Sequence, residues 1–105
     1  MFIMPEMMKN IIQMVATECG IQACHITGNS REVKYARPRA IAYHLSRQLN
    51  YSYPIIGKTF NKHHTTIIAG INRLEIERDQ NKYLDALITK LERKLSNGRK
   101  NHGAV

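Results

Sequence analysis

The sequence predicts an all-α protein: a single bundle of about five to six helices that contains a helix-turn-helix. Three observations lead there. Apolar residues recur at spacings of three and four along most of the chain, the period of one helix face. No segment shows the strict alternation of a half-buried strand. Pro5, Pro38 and Pro54 all fall where a first helical turn tolerates a missing N–H.

Met8, Ile11, Ile12, Val15 and Cys19 form the stripe of a first helix, from Pro5 to Cys19, and Gly20 follows as its C-terminal cap. Ile21 to Ile26 is apolar and short enough for a turn or two of helix. Thr27-Gly28-Asn29-Ser30 breaks the pattern. Arg31 to Tyr35 is a basic connector. From Arg37-Pro38-Arg39 a long helix runs to Leu49 on Ile41, Leu45 and Leu49, with Asn50 as its stop. Ser52 is placed to cap a short helix carrying Ile55, Ile56 and Phe60. Asn61-Lys62 makes a turn. The helix after it opens at His63 and has its stripe at Ile67, Ile71 and Leu74. Asp79-Gln80-Asn81 interrupts, and Leu84, Leu87, Ile88, Leu91 and Leu95 mark a final helix. The domain is expected over residues 1–95, and the polar, basic stretch 96–105, with two glycines, as a disordered tail. There is no internal repeat or low-complexity segment.

With 105 residues, one domain and one modest core are expected. Lys and Arg number 16 against 8 Asp and Glu, a formal charge of +8. Such an excess favours a polyanionic partner, nucleic acid first and an anionic membrane surface second. No apolar run approaches the roughly 20 residues of a membrane span. The N-terminus lacks the basic segment and apolar stretch of a signal peptide. The expected location is therefore the cytoplasm, in association with the nucleoid. Cys19 and Cys24 cannot make a four-cysteine zinc site; they are expected as buried free thiols, a disulfide being the alternative.

The segment from Ile56 to Ile68 carries the functional signal. Its turn is about two residues long, and the second helix opens on Lys62-His63-His64-Thr65-Thr66 before its apolar stripe begins. The polar first turn is thus free to meet base edges and phosphates, as in a recognition helix. The alternative is an ordinary helical hairpin. Adjacent His63 and His64 point about 100° apart on a helix, and neither Cys nor carboxylates stand beside them, so no metal is expected. His25, His44 and His102 are scattered. Ser46, Ser52, Thr65 and Thr66 lack a base and an orienting partner. Glu75, Glu77, Asp79, Asp85 and Glu92 sit among Lys and Arg, the pattern of a solvated face. Gly57-Lys58-Thr59 has no upstream glycine or strand to make a phosphate loop. Neither catalysis nor a cofactor is expected. The connector adds Arg31, Lys34, Arg37 and Arg39. An Arg on such an arm can enter a minor groove. Arg37 and Arg39 at a helix N-terminus can grip phosphate beside free backbone N–H groups.

Ala36-Arg37-Pro38-Arg39-Ala40-Ile41-Ala42-Tyr43-His44-Leu45, Ser52-Tyr53-Pro54-Ile55-Ile56-Gly57 and His64-Thr65-Thr66-Ile67-Ile68-Ala69 together resemble the C-terminal DNA-binding domain (domain IV) of the bacterial chromosomal replication initiator DnaA. The resemblance covers about Ile11 to Leu95. It implies a helical bundle related to the Trp-repressor-like helix-turn-helix and a ligand of double-stranded DNA with a DnaA-box-like site. It implies Arg31 in the minor groove, Arg39 on phosphate, His64, Thr65 and Thr66 in the major groove, and Lys62 and Ser52 on the backbone. Two residues depart from the family's pattern: His63 stands where an acidic side chain is usual, and Ala40 where glutamine is frequent. No ATPase domain accompanies the segment, so a stand-alone protein without a nucleotide switch is expected. The role implied is replication initiation control or transcriptional regulation, in a bacterium, phage or plasmid. A monomer is expected. The alternative function is a protein-interaction module for replication proteins or another partner, pairing through the Leu84 to Leu95 stripe if that stripe does not pack on the first helix. Structured RNA is a third ligand class, disfavoured by the lack of aromatic platforms.

Overall fold

The computed structural model describes the backbone of residues 2–103 and the side chains of residues 2–97. Within them lie six α-helices: α1 (Glu6–Cys19), α2 (Ala23–Thr27), α3 (Ala36–Gln48), α4 (Tyr53–Phe60), α5 (His64–Gln80) and α6 (Lys82–Gly103). A single 3-10 turn, Val33–Tyr35, occupies the end of the basic connector and leads straight into α3. The expected class and helix order hold, and no strand occurs among the described residues.

The boundaries follow local chemistry. α1 ends because Gly20 takes the left-handed conformation at φ 70°, from which its N–H reaches the Ala16 and Thr17 carbonyls. α4 begins because the Ser52 hydroxyl accepts the Ile55 N–H at 3.4 Å and Pro54 needs no donor. Asn50 (φ 67°) and Asn61 (φ 54°) turn the chain out of α3 and α4, as Asn does more readily than other side-chain-bearing residues. α5 and α6 are separated at Asn81, whose side-chain oxygen accepts the Tyr83 and Leu84 N–H groups and starts the last helix.

Each stripe meets the others in one core. Met8, Ile11, Ile12 and Val15 of α1 pack with Ile41 and Leu45 of α3, Ile56 and Phe60 of α4, and Ile67, Ile71 and Leu74 of α5. Tyr43 meets Phe60 edge to face, with centroids 4.9 Å apart. Cys19, at the end of the α1 stripe, is only half-buried, and Cys24 is exposed; both are free thiols. The expectation that both are buried fails for Cys24 because α2 is a single short turn whose inward residue is Ile26.

The last helix is the strongest correction to the interaction-module reading. Leu84, Ile88, Leu91 and Leu95 are all buried in this same core, and α6 contacts α1, α3 and α5. The stripe is therefore already covered by its own chain. Polar pairs fix its register. Glu18 of α1 accepts from Lys90 at 2.6 Å and from Lys94 at 3.5 Å. Glu92 accepts from His44 (2.9 Å), Gln48 (2.6 Å) and Arg78 (3.0 Å), and Arg78 also reaches Asp85 (2.6 Å) and Thr89 (3.0 Å). Burial pushes the Glu92 carboxyl up, but these donors outweigh it and hold it below the ordinary carboxylate value. α6 continues through Gly103, into the stretch expected as a tail. Ser96 and Asn97 are exposed, so no packing among the described side chains holds that extension; residues 104–105 lie outside the described residues.

Candidate nucleic-acid interface

The turn between α4 and α5 is closed by glycine. Lys62 N–H donates to the Gly57 carbonyl at 2.8 Å. A Cβ built on Gly57 would stand 2.6 Å from the Lys62 carbonyl oxygen and 3.7 Å from the His64 nitrogen. Only a residue without a side chain lets the turn fold back this closely. Asn61 in the left-handed region completes the reversal.

The recognition helix then starts on its own cap. His63 is the N-cap, in extended conformation, and its Nδ1 accepts the Thr65 N–H at 3.3 Å. The same nitrogen lies 2.8 Å from the Thr65 hydroxyl. The His63 and His64 rings sit 4.3 Å apart, tilted by 32°. His63, His64, Thr65 and Thr66 are all exposed, Lys62 is half-buried, and burial begins only at Ile67. The first turn carries no acidic residue, so the positive end of the helix dipole faces solvent without a countercharge of its own.

Beside this end runs a groove between the connector, the start of α3 and one face of α5. Lys34, Arg37, Lys62, Thr66 and Arg73 all line it. Its floor is tight because α5 approaches α3 at Gly70, where a Cβ would meet the Tyr43 ring at 3.3 Å. Arg73 is a cation that the motif reading missed. Its signal was present in the spacing: it follows Thr66 by seven residues, two turns along the same face. Two of the groove's cations have acidic neighbours. Arg37 donates to Glu77 at 3.0 Å, and Lys34 pairs with Glu32 at 3.1 Å. Both pairs are solvent-exposed, and such pairs are worth little, so a phosphate can displace the carboxylate. Arg31 lies exposed at the outer edge of the connector, ahead of the groove.

Arg39 stands on the wall of the same groove, yet its guanidinium is engaged within the fold. Its side chain is buried: Nε and Nη2 donate to the His25 carbonyl at 3.0 and 2.8 Å, and Nη1 donates to the Ser30 carbonyl. It also lies over the Tyr35 ring at 5.7 Å, and that ring stacks on His25 at 4.5 Å. Arg39 therefore ties the end of α2 and the base of the connector to α3. It is a positioning residue, because a buried guanidinium whose three nitrogens each donate to a carbonyl is costly to pull out. Ala40 beside it is buried as well. Ser52 is exposed at the start of α4, about 12 Å of helix away from the turn. Another cation missed in the sequence reaches the residues on either side of it: Arg47 lies 4.6 Å over the Tyr53 ring and donates to the Tyr51 carbonyl at 3.0 Å.

Among the described residues no three His, Cys, Asp or Glu side chains gather to hold a metal. No helix there is long and apolar enough to cross a membrane.

Comparison with known proteins agrees with this architecture. The family described as "Bacterial dnaA protein helix-turn-helix" matches residues 8–74, from α1 to the buried Leu74 of α5. The chromosomal replication initiator protein DnaA of Methylobacillus flagellatus is 39% identical over 77 residues, which cover 70% of this chain and 16% of that protein. That of Limosilactobacillus fermentum is 39% identical over 83 residues, covering 77% of this chain and 19% of its own length. The chain thus spans less than a fifth of these relatives. A crystal structure of a DNA replication initiation factor superposes with a TM-score of 0.78 at 25% identity, over 89% of this chain and 29% of the other. Sequence match and superposition both run through the Gly57 turn and the exposed first turn of α5, and on these grounds the chain is a member of the bacterial DnaA helix-turn-helix family.

Proposed function

We propose that this chain binds double-stranded DNA sequence-specifically, at a DnaA-box-like site, and acts in replication initiation control or transcriptional regulation. One observation carries the reading. The first turn of α5 is exposed, free of acidic residues and continuous with a groove lined by Lys34, Arg37, Lys62 and Arg73. The matched stretch of its helix-turn-helix family, residues 8–74, includes these residues. In this reading α5 enters the major groove with His63, His64, Thr65 and Thr66 toward base edges and phosphates. Lys62, Arg37, Lys34 and Arg73 follow the backbone, and Arg31 reaches the adjacent minor groove. Ser52, with Arg47 beside it, touches backbone at the far end of α4. One copy serves an asymmetric site. The +8 charge makes affinity fall with salt through counterion release.

Selection of bound duplexes from a random pool, at stated salt, tests the proposal. A DnaA-box-like consensus is expected. Thr65→Ala and Arg31→Ala should each lower specific binding by about 1–3 kcal/mol. If Thr65→Ala leaves sequence preference untouched, this docking is wrong.

A further inference from the structure

His63 does two things at once, and the first fixes the second. Its Nδ1 accepts a backbone N–H, that of Thr65, at 3.3 Å. A backbone N–H can only donate, so Nδ1 must carry a lone pair. The neutral imidazole then has its proton on Nε2. In that tautomer the Thr65 hydroxyl, 2.8 Å from the same Nδ1, is on the donating side of the contact. Its remaining capacity is as an acceptor. The tilted His64 ring, its centroid 4.3 Å away, packs beside it. Nε2 lies across the ring from Nδ1, on the side away from the backbone groups it caps, and His63 is exposed.

We propose that His63 is a specificity-determining residue whose polarity is set by helix capping: its Nε2–H donates to a base acceptor in the major groove. The bases that supply such an acceptor there are purines through N7, guanine also through O6, and thymine through O4; cytosine presents only an amino donor. A carboxylate at this position can only accept, and so selects the opposite polarity. The inference rests on the DNA-binding reading above.

The test uses the full chain in three forms: wild type, His63→Asp and His63→Asn. Asp and Asn both cap helices well, so α5 should remain formed, which circular dichroism checks. Duplex selection at one salt concentration reads all three. Wild type should prefer an acceptor-bearing base at one position. His63→Asp should shift that position toward cytosine, the base that presents only an amino donor there, by about fivefold or more in relative occupancy, with other positions unchanged. His63→Asn, which can donate and accept, should relax it. Long-range proton–nitrogen NMR on the free protein should show His63 protonated on Nε2; a proton on Nδ1 overturns the inference without any DNA. An unchanged consensus in His63→Asp, or a uniform loss across all sequences, also overturns it, the latter marking a phosphate contact. A wild type that selects no consensus would instead sink the DNA-reading function itself, and the inference with it.

Discussion

The two ends of α5 are built in opposite ways. At the N-terminus, His63 to Thr66 are exposed, and among the described residues the only side-chain bonds there are those of His63 to nearby Thr65. At the C-terminus, Arg78 is held by Asp85, Thr89 and Glu92 of α6, and Glu92 is held in turn by His44 and Gln48 of α3. The first end leaves donors and acceptors free for a ligand; the second occupies them within the fold. The difference shows how one helix can be both a rigid post and an open end. Local side-chain capping orders the free end, while inter-helix bonds and the α6 stripe anchor the other.

That division can be broken from the anchored side. Leu91→Ala removes a fully buried side chain between α6 and the rest of the core. It should cost about 2–5 kcal/mol in urea unfolding, while the specific DNA affinity of the folded fraction stays as in wild type. A matching loss of affinity would mean that the two ends are coupled. Gly57→Ala attacks the reading end through its backbone. The new Cβ faces the Lys62 carbonyl at 2.6 Å, so the turn must open. About 1–3 kcal/mol of stability should be lost. The drop in specific binding should exceed that of Thr65→Ala, because every group of the first turn is displaced together; a mobility-shift titration reads it.

Acid sharpens the contrast at the anchored end. The Glu92 carboxyl lies below its ordinary value of 4.5 in the folded chain because Arg78, His44 and Gln48 donate to it against the effect of burial. Its contribution is present above the unfolded value and disappears as pH falls through the folded one. The urea midpoint should therefore decrease as pH is taken from above 4.5 to below it, and Glu92→Gln should make that dependence shallower. The smallest expected effect is at the reading end. Lys62→Ala should weaken all duplexes alike and reduce the slope of log affinity against log salt by about 1, with unfolding unchanged.

Much of this was legible in the chain. Helix periods, the capping serine, the glycine and asparagine stops and the polar opening of α5 are local signals, set by a few neighbouring residues. The groove was half legible: Lys34, Arg37, Lys62 and Thr66 come from motifs, whereas Arg73 required knowing which face of α5 turns toward the connector. Arg39 was the least legible. In sequence it is one more cation at a helix start. In the fold the His25 and Ser30 carbonyls converge on it from a segment 9 to 14 residues away, and nothing local announces that. The same holds for the final leucine stripe, which has one pattern whether it meets its own core or a partner.

The sequence by itself determined the helices, their order, the charge and the short turn before a polar helix end, because propensity, capping and hydrophobic period act within a few residues. Tertiary structure alone decided which charged groups remain available. Arg39 and Arg78 are held by groups brought in from other elements, while Lys62, Arg73 and the first turn of α5 face outward. That choice depends on desolvation and on partners distant in sequence, and only the packed chain supplies both.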